Sequence, residues 1–163
     1  MTIIQTVPNV SEGQSRDVID ELVNAVSNSR GSHLLNHSSD PSHNRTVLTL
    51  VGDASGLTTA LLRLYETAIP LINLRAHHGE HPRIGIIDVV PFIPLQEVST
   101  NDCISLAQNF GKIVAERFDI PTYLYGEATS HKERKSLENI RRGQLNGLAS
   151  RMEREEWTPD FGP

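Results

Sequence analysis

The chain is poor in the features that mark several large classes of protein. It has one cysteine, Cys103, in 163 residues, which excludes an internal disulfide framework and fits a reducing compartment. Cys103 falls at an apolar position of a predicted helix, so a packed thiol is expected there rather than a nucleophile. No block of Lys and Arg is dense enough to follow a phosphate backbone, and the formal charge is −5. Nucleic acid is therefore not an expected partner. The most basic group, Lys132, Arg134, Lys135, Arg141 and Arg142, is interleaved with Glu133 and Glu138 and reads as a solvated helix face. No apolar stretch approaches a membrane span, and Met1-Thr2-Ile3-Ile4-Gln5 has no basic lead, so neither a membrane partner nor a signal peptide is expected. The expectation is a cytoplasmic protein. No G-x-G-x-x-G follows a strand and no phosphate loop is present, so nucleotide cofactors are unsupported. Ser11 and Ser55 lack the context of a nucleophile elbow.

What is present suffices for one domain with a proper core. Ile3 to Val7 reads as a strand stopped by Pro8. Val18, Ile19, Leu22, Val23 and Val26 recur at helical spacing and predict a helix from about Ser15 to Ser27, with Gly31 placed to end it. Two strands, from His33 and over Arg45 to Val51, flank a run of turn formers between Ser38 and Asn44. Asp53 caps a second helix carrying Leu57, Leu61, Leu64, Tyr65 and Ala68, which Pro70 ends or kinks. A fourth strand begins near Ile84 and reaches about Phe92. A third helix follows Ser99-Thr100, a fifth strand covers Pro121 to Tyr125, and a helix-prone tail runs from about His131 to Glu156. This order predicts an α+β fold: a ferredoxin-like βαββαβ sandwich with an added αβ unit and a helical C-terminal tail.

The chemistry concentrates in Arg75-Ala76-His77-His78-Gly79-Glu80-His81-Pro82-Arg83, which holds three of the seven histidines. Imidazole gives and takes a proton near neutral pH, so a cluster tethered to a rigid strand suits acid/base work or metal binding; a solvated histidine-rich turn is the plainer alternative. The run satisfies H-x-x-E-H, but zinc chemistry on that pattern needs a helix. Gly79 costs about 1 kcal/mol in a helix interior, and Pro82 pushes His81 toward extended conformations. A metal-free acid/base site centred on His81 fits better. Arg45 is a candidate clamp for a substrate carboxylate, or a surface ion pair. Asp88 reads as a sheet-end carboxylate, and Glu127 either orients a histidine or caps a turn.

Six blocks then occur in order: Val7-Pro8-Asn9-Val10-Ser11-Glu12-Gly13, Asn44-Arg45-Thr46-Val47, the run His77 to Arg83, Asp88-Val89-Val90-Pro91-Phe92-Ile93-Pro94, Tyr123-Leu124-Tyr125-Gly126-Glu127-Ala128, and Trp157-Thr158-Pro159-Asp160-Phe161-Gly162-Pro163. Together they resemble the N-terminal subdomain of glutamate formiminotransferase, over essentially all of residues 1–163. The resemblance implies transfer of a formimidoyl group from N-formimidoyl-L-glutamate to N5 of tetrahydrofolate, in histidine degradation, with tetrahydrofolate as co-substrate and no metal. It places the family's catalytic histidine on His81. It makes Asn44, Arg45, His78, Arg83, Gly162 and Pro163 the expected substrate and folate contacts. In the family a second subdomain follows D-F-G-P and folate lies between the halves, so a separate chain supplying that half is an expected partner. Where the family has a pattern like L-D-V-D, this chain reads Leu35-Asn36-His37-Ser38, which leaves Asp40 as the candidate assisting acid. A sheet surface covered in the family would be exposed here, so a homo-oligomer is expected. A non-catalytic binding module of the same fold is the competing reading.

Overall fold

The computed structural model describes residues 1–79 and 83–163. They divide into two compact units, the first with described residues 1–79 and 85–100, the second with 83–84 and 101–163.

The first unit is an antiparallel sheet with two helices packed on it. Its strands are β1 (Ile3–Thr6), β2 (Asn9–Val10), β3 (Ser32–Asp40), β4 (Arg45–Gly52), β5 (Ile87–Val89) and β6 (Phe92–Gln96). β4 lies at the centre, with β3 along one side and both β1 and β2 along the other; β6 then pairs with β1 and β5 with β2. Alternation decides which face is covered. Ile4, Thr6, Val10, Leu48 and Leu50 are buried, while Ile3, Gln5, Val47 and Val51 on the other face are partly exposed. Helices α1 (Arg16–Ser27) and α2 (Ala54–Leu71) pack on each other; α1 rests on β3, and α2 on β3 and β4. Leu22 and Val26 of α1, and Leu57, Leu61 and Leu64 of α2, are fully buried, each stabilising by about 1.5–3 kcal/mol relative to exposure. Both helices begin where a short polar side chain satisfies an orphan amide. Ser15 Oγ accepts from Val18 N–H at 3.4 Å, and Asp53 Oδ1 from Gly56 N–H at 2.6 Å. Pro70 sits in the last turn of α2, which stops one residue later.

The second unit is mainly helical: α3 (Thr100–Phe118, all but its first residue in this unit), α4 (Leu137–Arg141), α5 (Gln144–Arg151) and short 3₁₀ turns at Gly126–Ala128, Lys132–Arg134 and Glu155–Trp157. Its core joins Ile140, Leu148 and Trp157 with Tyr123, Tyr125 and Met152. Gly143, at φ 74°, breaks the tail between α4 and α5 by its left-handed backbone, and a side chain there would meet Gly147 Cα at 2.9 Å.

Three expectations need correction. The fifth strand over Pro121 to Tyr125 is absent; among the described residues only a single Thr122–Phe161 bridge forms there. The ladder fails because side chains take its place: Asp160 Oδ2 accepts Leu124 N–H at 2.7 Å, and the Tyr123 hydroxyl donates to Trp157 O at 2.6 Å. The fourth strand starts at Ile87 rather than Ile84, where Gly85 and Ile86 turn their carbonyls to Ser11, and it is interrupted between Val89 and Phe92, where Pro91 has no N–H to give a ladder. Arg134 is not on a solvated face. It is 1 % exposed, donating to the carbonyls of Glu156 (2.5 Å) and Thr158 (2.6 Å) and pairing with Asp160 (3.2 Å).

Candidate functional site

Three of the sequence blocks meet in the first unit. Asn44 ends the β3–β4 turn at φ 52°, a left-handed conformation that asparagine tolerates better than most residues, and is 4 % exposed. Among the described residues its side chain meets Gly13, His78 and His77. Oδ1 accepts the Gly13 N–H at 2.8 Å; Nδ2 donates to the His78 carbonyl at 2.9 Å and lies 3.3 Å from His77 Nδ1. Its backbone carbonyl lies 3.1 Å from His77 Nε2. One buried amide thereby joins the Ser11-Glu12-Gly13 turn to the upstream end of the histidine run.

The downstream end is held by the same turn. Ser11, 2 % exposed, donates from Oγ to Gly85 O and from its backbone to Ile86 O, both at 2.8 Å. Glu12 O accepts from Thr46 Oγ1 at 2.5 Å, and Glu12 Oε1 accepts the amides of Gln14 and Ser15 at 2.8 Å each. Gly13 is required by contact: a Cβ there would lie 2.5 Å from both Arg45 N and Asp40 O. Asp88 accepts the Gly85 N–H at 3.2 Å, which makes it a turn-closing carboxylate at the sheet end. Tyr65 faces it from α2, and burial, with the Asp88 charge second, pushes the Tyr65 hydroxyl far above its ordinary range.

Beside this knot, Asp40 holds His43. Oδ1 accepts the amides of Ser42 (2.9 Å) and His43 (3.2 Å), and Oδ2 lies 2.5 Å from His43 Nδ1. The His43 hydrogen bond, helped by these amides, keeps the Asp40 carboxyl below its usual 3.8. Asp40 also stands opposite Arg45 across the β3–β4 ladder.

The expected site residues are placed as follows. Asn44 and His78 are brought together, with Arg45 and Asp40 adjacent on the same turn. His78 contributes its carbonyl and exposes its ring; Arg45 is half-buried. His81 lies outside the described residues. Arg83, buried, and Gly162 and Pro163, exposed, belong to the second unit, where Gly162 adopts φ 90°. Glu127 sits exposed in the 3₁₀ turn Gly126–Ala128. Ser11, Gly13, His43 and His77 were not among the expected site residues. For His43 the Asp-x-x-His spacing in a turn was a usable signal; for His77 nothing local names Asn44, 33 residues away, as its partner. Among the described residues no three His, Cys, Asp or Glu side chains converge as metal ligands, and no helix is long and apolar enough to cross a membrane.

The class this defines is an α+β protein whose histidine-bearing loop is pinned at both ends to the Ser-Glu-Gly and Asn-Arg-Thr turns. Residues 3–163 match the formiminotransferase domain, N-terminal subdomain, and the chain belongs to that family. It is 44 % identical to the formimidoyltransferase-cyclodeaminase of Rattus norvegicus across 99 % of this chain and 30 % of that protein. It is 39 % identical to the glutamate formimidoyltransferase of Streptococcus pyogenes serotype M1 (98 % of this chain, 54 % of that protein). With its counterpart from Thermoplasma acidophilum it shares 40 % identity over 100 % of this chain and 54 % of the relative. The chain thus spans between about a third and about half the length of these relatives.

Proposed function

We propose that this chain is the histidine-bearing part of a glutamate formimidoyltransferase, with His81 as the acid/base that moves protons between donor and acceptor. The observation that carries the reading is the convergence of the Ser-Glu-Gly turn, Asn44 and the ends of the His77-to-Ile86 segment, in a chain about 40 % identical to proteins of that name. N5 of tetrahydrofolate adds to the amidine carbon of N-formimidoyl-L-glutamate; a base takes the N5 proton, and the same group returns a proton to the departing glutamate nitrogen as the C–N bond breaks. One imidazole titrating near the working pH serves both halves.

Arg45 suits the glutamate carboxylates, with Asp40 beside it as assisting acid and His43 oriented by Asp40. Asn44, His78, Arg83, Gly162 and Pro163 are assigned to substrate or folate contact, Asn44 and His78 being joined within the first unit. Tetrahydrofolate acts as co-substrate. Zinc through H-x-x-E-H fits poorly, because both ring nitrogens of His77 are engaged by Asn44 and leave no lone pair for an ion. The relatives' greater length supports a further subdomain, in the same or a separate chain, completing the folate side. We also read the first unit as ferredoxin-like. Counting β1 with β2 and β5 with β6 as single interrupted strands, the order across the sheet is second, third, first, fourth, as a split βαβ requires. Residues 1–163 are taken as one subdomain of a cytoplasmic enzyme that self-associates, with Leu35, Ile93 and Leu95 exposed on the sheet.

The test follows 5-formimidoyltetrahydrofolate by absorbance in the full-length natural protein and its His81→Ala variant. Turnover lost by a factor of about 10²–10⁴ is expected. Unchanged turnover in the variant, or none in the parent, overturns the reading; sedimentation as a clean monomer overturns the self-association.

A further inference from the structure

We propose that His77 is a positioning residue, locked by Asn44 as the neutral Nε2–H imidazole, and that this lock sets the upstream end of the segment carrying His81. The argument is one of donors and acceptors. A carbonyl oxygen only accepts, so His77 Nε2, 3.1 Å from Asn44 O, bears the proton. The Asn44 amide has one orientation open to it. Oδ1 must receive the Gly13 N–H at 2.8 Å, and Nδ2 must donate to the His78 carbonyl at 2.9 Å. The second Nδ2 hydrogen then points at His77 Nδ1, 3.3 Å away, which has to offer a lone pair. Every requirement is met by one tautomer and by no other charge state.

A cationic His77 would set an N–H against the Asn44 amide hydrogens inside a site that is 4 % exposed at Asn44, and the amide has no alternative flip. His77 is thereby withdrawn from proton transfer, although it stands first in the histidine run. Among the described residues, the charged and titratable groups on these elements are Glu12 on the Ser-Glu-Gly turn, Asp40, His43 and Arg45 at the β3–β4 turn, His33 and His37 farther back along β3, and Arg75 and His78 beside His77. The downstream end is set separately by Ser11 on Gly85 and Ile86. Positioning errors of an ångström are enough to cost rate rather than affinity.

The structural arm of the test stands on the described residues alone; the kinetic arm rests on the formimidoyl-transfer reading. Nitrogen-15 spectra of the histidine rings in the unmodified protein at pH 7.5 are expected to show His77 with a protonated Nε2 and an unprotonated Nδ1. Asn44→Asp, which puts an acceptor where a donor stood, is expected to move His77 to a form protonated on Nδ1. An imidazolium or an Nδ1–H ring in the unmodified protein overturns the lock. In the full-length enzyme, His77→Ala is expected to lower kcat by about 10²-fold with KM little changed. His77→Gln, which keeps a donor for the Asn44 carbonyl, is expected to recover part of that loss. Unchanged kcat, or a raised KM at full kcat, overturns the positioning role. Absence of transfer in the parent enzyme would sink the proposed function instead, and the ring spectra would still decide the lock.

Discussion

Replacing Arg134 by methionine keeps most of the buried stem and removes a guanidinium on which the second unit converges. Its Nη2 donates to Glu156 O at 2.5 Å and Thr158 O at 2.6 Å, and its Nη1 pairs with Asp160 at 3.2 Å. The guanidinium carbon stands 5.1 Å from the Tyr123 ring centre and 5.7 Å from that of Trp157, whose ring also meets Arg151 at 4.3 Å. Without it two carbonyls lose their donors, and the Asp160 carboxylate, 17 % exposed, keeps the Leu124 N–H but loses its counter-charge. Breaking a buried pair from one side costs about 3–5 kcal/mol. Taking about 3 kcal/mol, because water can reach Asp160, and a urea slope near about 1.5 kcal/mol/M, the unfolding midpoint should fall by about 2 M. Trp157 is the only tryptophan in the chain and is 7 % exposed, so its emission follows this cluster and no other. Asp160→Asn should cost less, since an amide oxygen still accepts from Leu124. The double variant should fall short of additivity by about 0.5–3 kcal/mol. A midpoint lowered by less than about 0.5 M for Arg134→Met would refute the idea that this guanidinium organises the unit.

Gly13→Ala drives a methyl into the backbone of Arg45 and Asp40 and should destabilise the first unit by about 1–3 kcal/mol; an unaltered Tm would contradict the contact. Asp40 has a depressed carboxyl, so its contribution is present above the ordinary 3.8 and disappears as pH falls through the lower folded value. Asp40→Asn should therefore differ from the parent in urea midpoint at pH 6 and converge with it in strong acid. Tyr65 has the opposite sign: its raised folded pKa stabilises below the ordinary 10.0 and is lost as pH rises, so Tyr65→Phe should flatten the alkaline limb, and the parent's ultraviolet titration should leave one tyrosine protonated until unfolding. Cys103 is 4 % exposed, with its thiol pushed up first by burial and then by Asp102, so it should resist a disulfide reagent until urea is added; prompt modification in the native state would place it elsewhere.

Local patterns were legible wherever one element's own residues decide its structure. The α1 and α2 stripes and the β4 strand follow from periodicities of 3.6 and 2, and the Asp53 cap from its residue type, none of which needs a distant partner. The aromatic run and the solvated reading of Arg134 failed for the converse reason. Tyr123, Leu124 and Tyr125 have strand character, but the carboxylate of Asp160, 36 residues on, takes the Leu124 amide, and the basic residue Arg134 finds its carbonyl partners 22 and 24 residues away.

For the candidate site, residue types and block spacing by themselves determined the histidine run, the neighbouring Asn-Arg-Thr turn and the family, because those are properties of order along the chain. Which histidine has both nitrogens spent, that Ser11 and Asn44 hold the two ends of one segment, and that Gly13 has no room for a side chain were decided only by tertiary structure. Hydrogen-bond partners separated by 31 to 74 residues are selected by the sheet that brings β1, β2, β4 and β5 together, and a linear sequence carries no record of those distances.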